Sequence, residues 1–368
     1  MTYIPFPSLK TCWYNDKSGF TLSLPWVTLE IDVTREDFPW IEKAIDFLHI
    51  DNNNEEVQKF LGILSDHSVA YINPRTELKN ARIMPNEVLQ AIPLQTPWEL
   101  AGWVLRGSDS SLHNLQLSLQ WQWRLEEICQ VSQIEGTDFY DPVTVITFLR
   151  GLMLEADATT DQFRVNLPNS LDLLRQHDEK KFFEFMKGML RQTHYITQKF
   201  QEYAPTSLGN FPEAADEITQ FLKEEKGHDK LMEHSLKVLG CENPTEIDPS
   251  LETTLTMDIF KKAIEICPMA FVAMVGFFEG GEYGESDPIA DILKKSSLPE
   301  AALGYQRHFE INRQENHNNM VYTLAQKLPL QTYESVLFTV RALELVCYLA
   351  SSSDRVLAMR AEALIELG

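Results

Sequence analysis

Apolar residues recur with two different periods along this chain. In Phe20-Thr-Leu-Ser-Leu and in Trp26-Val-Thr-Leu-Glu-Ile-Asp-Val33 they alternate with polar ones, with Pro25 between the runs, as half-buried strands require. A helical spacing follows at Ile41, Ala44, Ile45 and Leu48, predicting a helix from Phe38 or Pro39 to His49. Asp51-Asn-Asn-Asn54 reads as a turn that caps a second helix, Glu55 to Ser65, and Val69-Ala-Tyr-Ile72 as a short closing strand. Pro74 to Thr96 is irregular. From Trp98 onward the helical period runs almost to the end. It predicts one long helix over Leu112 to Val131, which carries Trp121 and Trp123, and another over Pro142 to Glu155, opened by its proline. Asp157 to Leu171 is polar and reads as a loop. Helices are then expected over 179–203, 212–239, 257–281, 286–295, 298–327 and 331–366, the last broken near Ser351-Ser-Ser-Asp354.

The pattern divides the chain into a small α/β module at 1–95, a linking helical segment at 96–174 and an all-α bundle at 175–368. Strands, two helices and a closing strand resemble a small winged-helix module, a plan shared by peptide-recognition modules of natural-product pathways. A plain appendage packed on the bundle fits the same pattern.

Charge narrows the partners. With 32 basic against 54 acidic residues the formal charge is −22, which repels phosphate backbones and anionic lipid, so neither nucleic acid nor a membrane surface is expected. The run Cys267 to Phe278 is apolar but too short to span a bilayer. Cys12, Cys129, Cys241, Cys267 and Cys347 are odd in number and widely spaced, which predicts reduced thiols in a cytoplasmic protein and no thiolate zinc site. The N-terminus lacks the basic-then-apolar pattern of a signal peptide.

Candidate chemistry lies in the second half. Phe221 to Gly240 reads as one amphipathic helix whose apolar stripe (Phe221, Met232, Leu236, Leu239) also contains Glu225 and His228 at i and i+3. A carboxylate and an imidazole at that spacing can reach one metal ion, although a solvated pair fits as well. The apolar helix 259–278, with a kink expected at Pro268, ends in Phe277-Phe-Glu279-Gly-Gly-Glu282-Tyr-Gly284. A carboxylate directly behind such a run either meets the solvent or is buried with a cation or several donors. His308, Asn312 and Glu315 fall at i, i+4 and i+7 on one face of a later helix. His194 and Tyr195 can line a pocket on the first bundle helix or simply pack there. The oxygen and nitrogen donors of these segments suit iron or manganese better than a thiolate-seeking ion.

Glu224-Glu225-Lys-Gly227-His228-Asp229, then Leu239-Gly240, then Phe278-Glu279-Gly280, then His308 resemble, in order and spacing, the heme-oxygenase-like family of iron-containing redox enzymes. The resemblance covers residues 175–350. It implies a seven-helix bundle with a di-iron centre that activates O2 for N-oxygenation, C–C cleavage or related chemistry on amino acids and small acids. Carried over by position, Glu225 (or Glu224, one step away), His228, Glu279 and His308 match ligand and catalytic positions. The last ligand helix departs from the family's His-x-x-x-Asp-x-x-His, having Asn312 for the Asp and Glu315 for the second His. Glu315 can still bind iron, Asn312 is a poorer ligand, and one ion, two or none can result. Other relatives of the fold are cofactor-free oxidases, thiamin-degrading enzymes and heme cleavers. The ligand region has no evident catalytic cysteine of the thiaminase type, and His194 is the one candidate for a proximal heme ligand.

The expectation is an iron-dependent oxidase or oxygenase using O2 as co-substrate, with manganese as the alternative ion. Its metal donors are Glu225, His228, Glu279, His308 and Glu315, with Glu224, Asn312 and Glu282 as further candidates. Its substrate, an amino acid, a fatty acid or a peptide side chain, would sit beside Met274, Phe277, Phe278, His194 and Tyr195. An external electron donor and a homodimer are compatible with this reading. The competing expectation is a metal-free scaffold or cofactor-free member of the same fold.

Overall fold

The computed structural model describes residues 3–5, 9–24, 27–51, 54–64, 70–72, 124–163, 167–279, 286–315 and 317–366. Trp121, Trp123, Glu282 and the stretch Pro74 to Thr96 lie outside the described residues, as does the side chain of Glu315.

The alternating stretch forms the sheet it predicts. β2 (Lys10–Trp13), β3 (Gly19–Leu24) and β4 (Val27–Asp32) make a three-stranded antiparallel sheet in that order. β1 (Tyr3–Pro5) pairs antiparallel with β5 (Ala70–Ile72), so the closing strand returns to the start of the chain and not to this sheet. Phe20 and Leu22 point inward from β3 and are fully buried, together with Ile41 and Ala44 of α1 (Phe38–Phe47) and Val57, Phe60 and Leu61 of α2 (Glu55–Ile63). Trp13, Phe20 and Phe60 meet as tilted rings through this layer, with Phe20 at 4.9 Å from Trp13 and 6.0 Å from Phe60. Asn54 caps α2 as expected, its side chain accepting from the backbone N–H groups of Glu56 and Val57.

The rest of the described chain is helical. A helix over 124–132 leads to α3 (Pro142–Phe163), α4 (Leu167–His177), α5 (Glu179–Tyr203), α6 (Ala215–Glu224) and α7 (His228–Val238). α8 (Leu251–Ile266), α9 (Pro268–Glu279), α10 (Pro288–Lys294), α11 (Leu303–Glu315), α12 (His317–Lys327) and α13 (Tyr333–Glu366) follow. The protein is thus mainly helical with a small antiparallel sheet at its N-terminal end. α3 packs against α9, α12 and α13, and α4 against α5 and α13, so the described part of the linking segment belongs to the body of helices. One continuous core joins Phe20 and Leu22 of the sheet to Phe148, Phe271 and Val346, and a second core gathers α4, the first half of α5, α7 and the end of α13.

Five expected elements differ in the structure. The polar stretch 157–171 is no loop. α3 runs to Phe163 and α4 opens at Leu167, because Glu155 to Phe163 contains neither Gly nor Pro, and Pro168 suits the first turn of the next helix. The serines at 351–353 do not break α13. Serine costs a helix only about 0.5 kcal/mol, and Ala358 and Ala361 beyond them are buried. Pro268 starts a helix where a kink was expected, since the residue before a proline is driven out of the helical region and Cys267 is extended at φ −142°, ψ 96°. Finally, 212–239 is two helices broken at Gly227, and 298–327 is a 3-10 turn followed by α11 and α12.

Candidate metal centre

The break at Gly227 builds the site. α6 ends at Glu224 with Glu225 as its C-cap, Gly227 adopts φ +97°, and His228 opens α7. A left-handed residue here strongly favours glycine, because a Cβ would crowd the neighbouring carbonyl. Gln201 of α5 clamps the turn from outside. Its side-chain oxygen accepts from the Gly227 N–H at 3.2 Å, and its amide donates to the Asp229 carboxylate at 3.1 Å and to the Thr197 carbonyl at 3.2 Å. Glu225 and His228 therefore do not lie on one continuous helix, yet their side chains still meet.

Both are deeply buried, Glu225 at 3% and His228 at 2% exposure. His228 Nδ1 lies 2.9 Å from Glu225 Oε2, but so obliquely that it makes no hydrogen bond, and neither ring nitrogen of His228 has a hydrogen-bond partner among the described residues. The His308 ring stands edge-on to it, with centroids 4.9 Å apart and planes at 76°. Another glycine permits this approach. A Cβ on Gly304, one turn before His308, would sit 2.6 Å from Ser235 Oγ and 2.9 Å from the Leu231 carbonyl of α7. With no side chain there, the Gly304 N–H donates to Ser235 Oγ at 2.9 Å and the two helices touch.

Glu279 and Asn312 form a second pair. Glu279, the last residue of α9, is 5% exposed, and its Oε2 accepts a hydrogen bond of 2.8 Å from the Asn312 amide, itself 3% exposed. The expected polar face of α11 thus turns His308 and Asn312 inward. An aromatic cluster holds both pairs in place. Phe200 of α5 stacks on Phe260 of α8 at 5.0 Å, Phe221 of α6 meets Phe200 edge-on at 5.3 Å, and Phe278 meets Phe260 edge-on at 5.6 Å. Glu225 is one turn beyond Phe221 and Glu279 directly follows Phe278, so fixed rings set both carboxylates.

Other expected site residues lie elsewhere. Glu224 is half-buried and accepts from Gln220 at 2.6 Å, away from His228. His194 is buried and its Nδ1 takes a hydrogen bond of 3.0 Å from Arg191, which can only donate, so the ring proton is on Nε2. Burial, and then the Arg191 charge, push the His194 imidazole below its ordinary range. Tyr195 lies under the Arg191 guanidinium at 5.4 Å. Met274 is fully buried in the core.

A cavity of about 320 Å3 opens between α5, α8, α9, α11 and α13. Phe277 and Phe278 line it as expected, but Met274, His194 and Tyr195 do not. Their places are taken by Thr193, Ile196 and Tyr305, whose hydroxyl lies 3.2 Å from Thr193 Oγ1. Tyr305 precedes His308 by one turn of α11, and Phe278 precedes Glu279, so the cavity and the polar cluster share two elements.

Among the described residues no three His, Cys, Asp or Glu side chains converge on one point at metal-ligand spacing. The donors stand as two pairs and the His308 ring. The fit to a metal is therefore unequal. His228 has two buried nitrogens without hydrogen bonds among the described residues, beside a carboxylate and a second imidazole; these are donor types that iron or manganese takes, although the three do not converge on one point. Glu279 already receives the Asn312 amide, and that end does not call for a second ion. Searches of protein-family models, curated proteins and solved structures find no match to this chain.

Proposed function

We propose that the bundle is an iron-dependent, O2-using oxidase or oxygenase acting on a small organic molecule, with Glu225, His228 and His308 as the donors to a single ion. It would have the heme-oxygenase-like arrangement suggested by the Glu225–His228, Glu279 and His308 segments. The observation that carries this reading is His228. A buried polar group left without a hydrogen bond costs about 1–3 kcal/mol, and metal coordination is one way to recover it. Two imidazoles and a carboxylate are the donors used by mononuclear iron sites that react with O2. Bound iron supplies the one-electron chemistry that lets O2 react with an organic substrate.

The chain's own groups would do the rest. Glu225 supplies negative charge beside the imidazoles, and Gln201 with Gly227 holds that pair in register. Phe200, Phe260 and Phe278 keep water from the cluster. The Glu279–Asn312 hydrogen bond fixes a buried carboxylate beside the site without spending it on a metal. The substrate would enter through the cavity and reach Phe278 and Tyr305, the residues nearest in sequence to the cluster.

A second reading, a metal-free binding bundle, is favoured by the lack of a convergent donor triplet among the described residues. Anaerobic Fe(II) titration of the full chain separates the two. A single iron per chain, a raised thermal midpoint and O2 uptake are expected, with His228→Ala losing all three. Protein that takes up no Fe(II) and gains no thermal stability would establish the metal-free reading.

A further inference from the structure

The lining of the cavity points to the chemical class of its occupant. At about 320 Å3 it lies at the lower end of the range for small-molecule sites. One wall is apolar, formed by Phe277, Phe278, Ile196 and Leu349. Most of its neutral polar groups are already committed. Gln192 accepts from the Ser250 N–H at 2.7 Å and donates to the Gly188 carbonyl at 3.0 Å, Thr193 lies at hydrogen-bond distance from Tyr305, and Thr253 from Ser250. The charged groups among its described lining residues all have one sign. Glu252 of α8 and Asp354 of α13 line the cavity, and no Lys, Arg or His is among its described lining residues. Burial, with the charges of Asp287 and Asp354 adding to it, pushes the Tyr305 phenol up, so Tyr305 enters as a neutral hydroxyl.

We infer that the cavity binds an amine with an apolar body and no carboxylate of its own. An ammonium would be drawn to Glu252 and Asp354 while its hydrocarbon part covers the Phe277–Phe278 wall. A fatty acid or another organic anion would bring a negative charge against two carboxylates, with no cation among the described lining residues to receive it. A free amino acid would bring both charges and find a counterpart for only one. Of the substrate classes expected from the sequence, this disfavours the fatty acid and the free amino acid and puts an amine without a carboxylate in their place.

Only the word substrate rests on the oxidase reading; binding is measurable without metal. The test is calorimetry on the metal-free full chain with three probes of one shape, 4-phenylbutylamine, 4-phenylbutanol and 4-phenylbutanoate. The amine is expected to bind at least about tenfold more tightly than the alcohol, and the carboxylate more weakly than either. Glu252→Gln and Asp354→Asn, each near-isosteric, should bring the amine toward the alcohol and leave alcohol binding unchanged. Thr256→Trp, which fills the cavity, should abolish binding of all three. Circular dichroism and thermal melts show that each variant is folded. Equal affinities, preference for the carboxylate, or no binding at all would overturn the inference. Failure to take up Fe(II) would leave it standing and overturn the oxidase reading instead.

Discussion

The two buried carboxylate pairs of the polar cluster solve the same problem differently. Glu279 and Asn312 are 33 residues apart in the chain and are joined by a well-formed hydrogen bond of 2.8 Å, with the amide as donor. Glu225 and His228 are three residues apart, held by a left-handed glycine, and their 2.9 Å contact is too oblique to be a hydrogen bond. A neutral amide can satisfy a buried carboxylate without adding charge. An imidazole with neither nitrogen hydrogen-bonded among the described residues is open to a proton acceptor, a donor or a metal. The difference teaches that burial alone does not mark a metal site. Of two similarly buried pairs, the Glu279 carboxylate is met by the Asn312 amide, with the Asn312 carbonyl oxygen left without a hydrogen bond among the described residues, whereas it is the His228 ring that lacks one at both nitrogens.

The largest expected effect comes from making the closed pair resemble the open one. Asn312→Asp replaces the donor with a second carboxylate against Glu279, at a position 3% exposed. Two like charges at that distance cannot both ionise, and the metal-free variant should lose about 3–5 kcal/mol at neutral pH. The same substitution supplies the oxygen donor that a second ion lacks. Urea denaturation should show the loss, and titration with Fe(II) or Mn(II) should recover it with two ions per chain. A variant that melts like the parent and binds no more metal would show that Asn312 does not keep this end closed.

A smaller effect should come from loosening the open pair. Gly227→Ala places a Cβ at φ +97° and should cost about 1–2 kcal/mol from backbone strain alone, since the space around it is empty. Metal affinity should fall by more than this strain explains, because the turn that brings Glu225 to His228 shifts. Gln201→Ala, which removes the clamp without straining the backbone, should weaken metal binding in the same direction. If both variants bind Fe(II) like the parent, the turn has no part in positioning the pair.

Much of this arrangement was legible in the sequence, and the rest depended on glycines and partners that periodicity does not register. The alternation at 20–33 gave two strands, the Asn54 cap held, and α5 spans the expected 179–203. Glu225, His228, Glu279 and Asn312 are buried and His308 half-buried against them: Glu225 and His228 interrupt an apolar stripe, Glu279 directly follows an apolar run, and His308 and Asn312 share one face of their helix. The stripe over 221–240 could not show that Gly227 divides it, since two short helices joined by one left-handed residue keep nearly the same apolar spacing. Glycine directly before His228 was the available signal. Gly304 was invisible for another reason, as its role is set by the α7 backbone opposite it. The pocket residues failed by one helical step. His194 and Tyr195 were expected in the cavity, but Thr193 and Ile196 reach it, while Arg191 draws the other two to itself.

His194 supplies the finest contrast with His228, since it is similarly buried but its Nδ1 accepts from a cation. Its neighbours define its titration. Arg191 on its own helix and Lys230 on α7 disfavour the imidazolium, whereas Asp229 and Glu233 on α7 favour it, and burial outweighs them all to leave its affinity for a proton lowered. The folded state then binds fewer protons at this residue than the unfolded chain does as pH falls past the ordinary value of 6.5. Stability from this group is fully present above 6.5 and declines below it, toward the lowered folded value. In His194→Gln the side-chain oxygen can still accept from Arg191, but nothing titrates. The stability difference between parent and variant, measured in urea from pH 8 to 5, should therefore stay constant down to about pH 6.5 and then shift against the parent. Taking the difference cancels the carboxylates that dominate acid denaturation of so acidic a chain. A difference that is flat across the whole range would mean that the Asp229 and Glu233 charges offset burial and Arg191, and one that favours the parent at low pH that they prevail and hold His194 protonated.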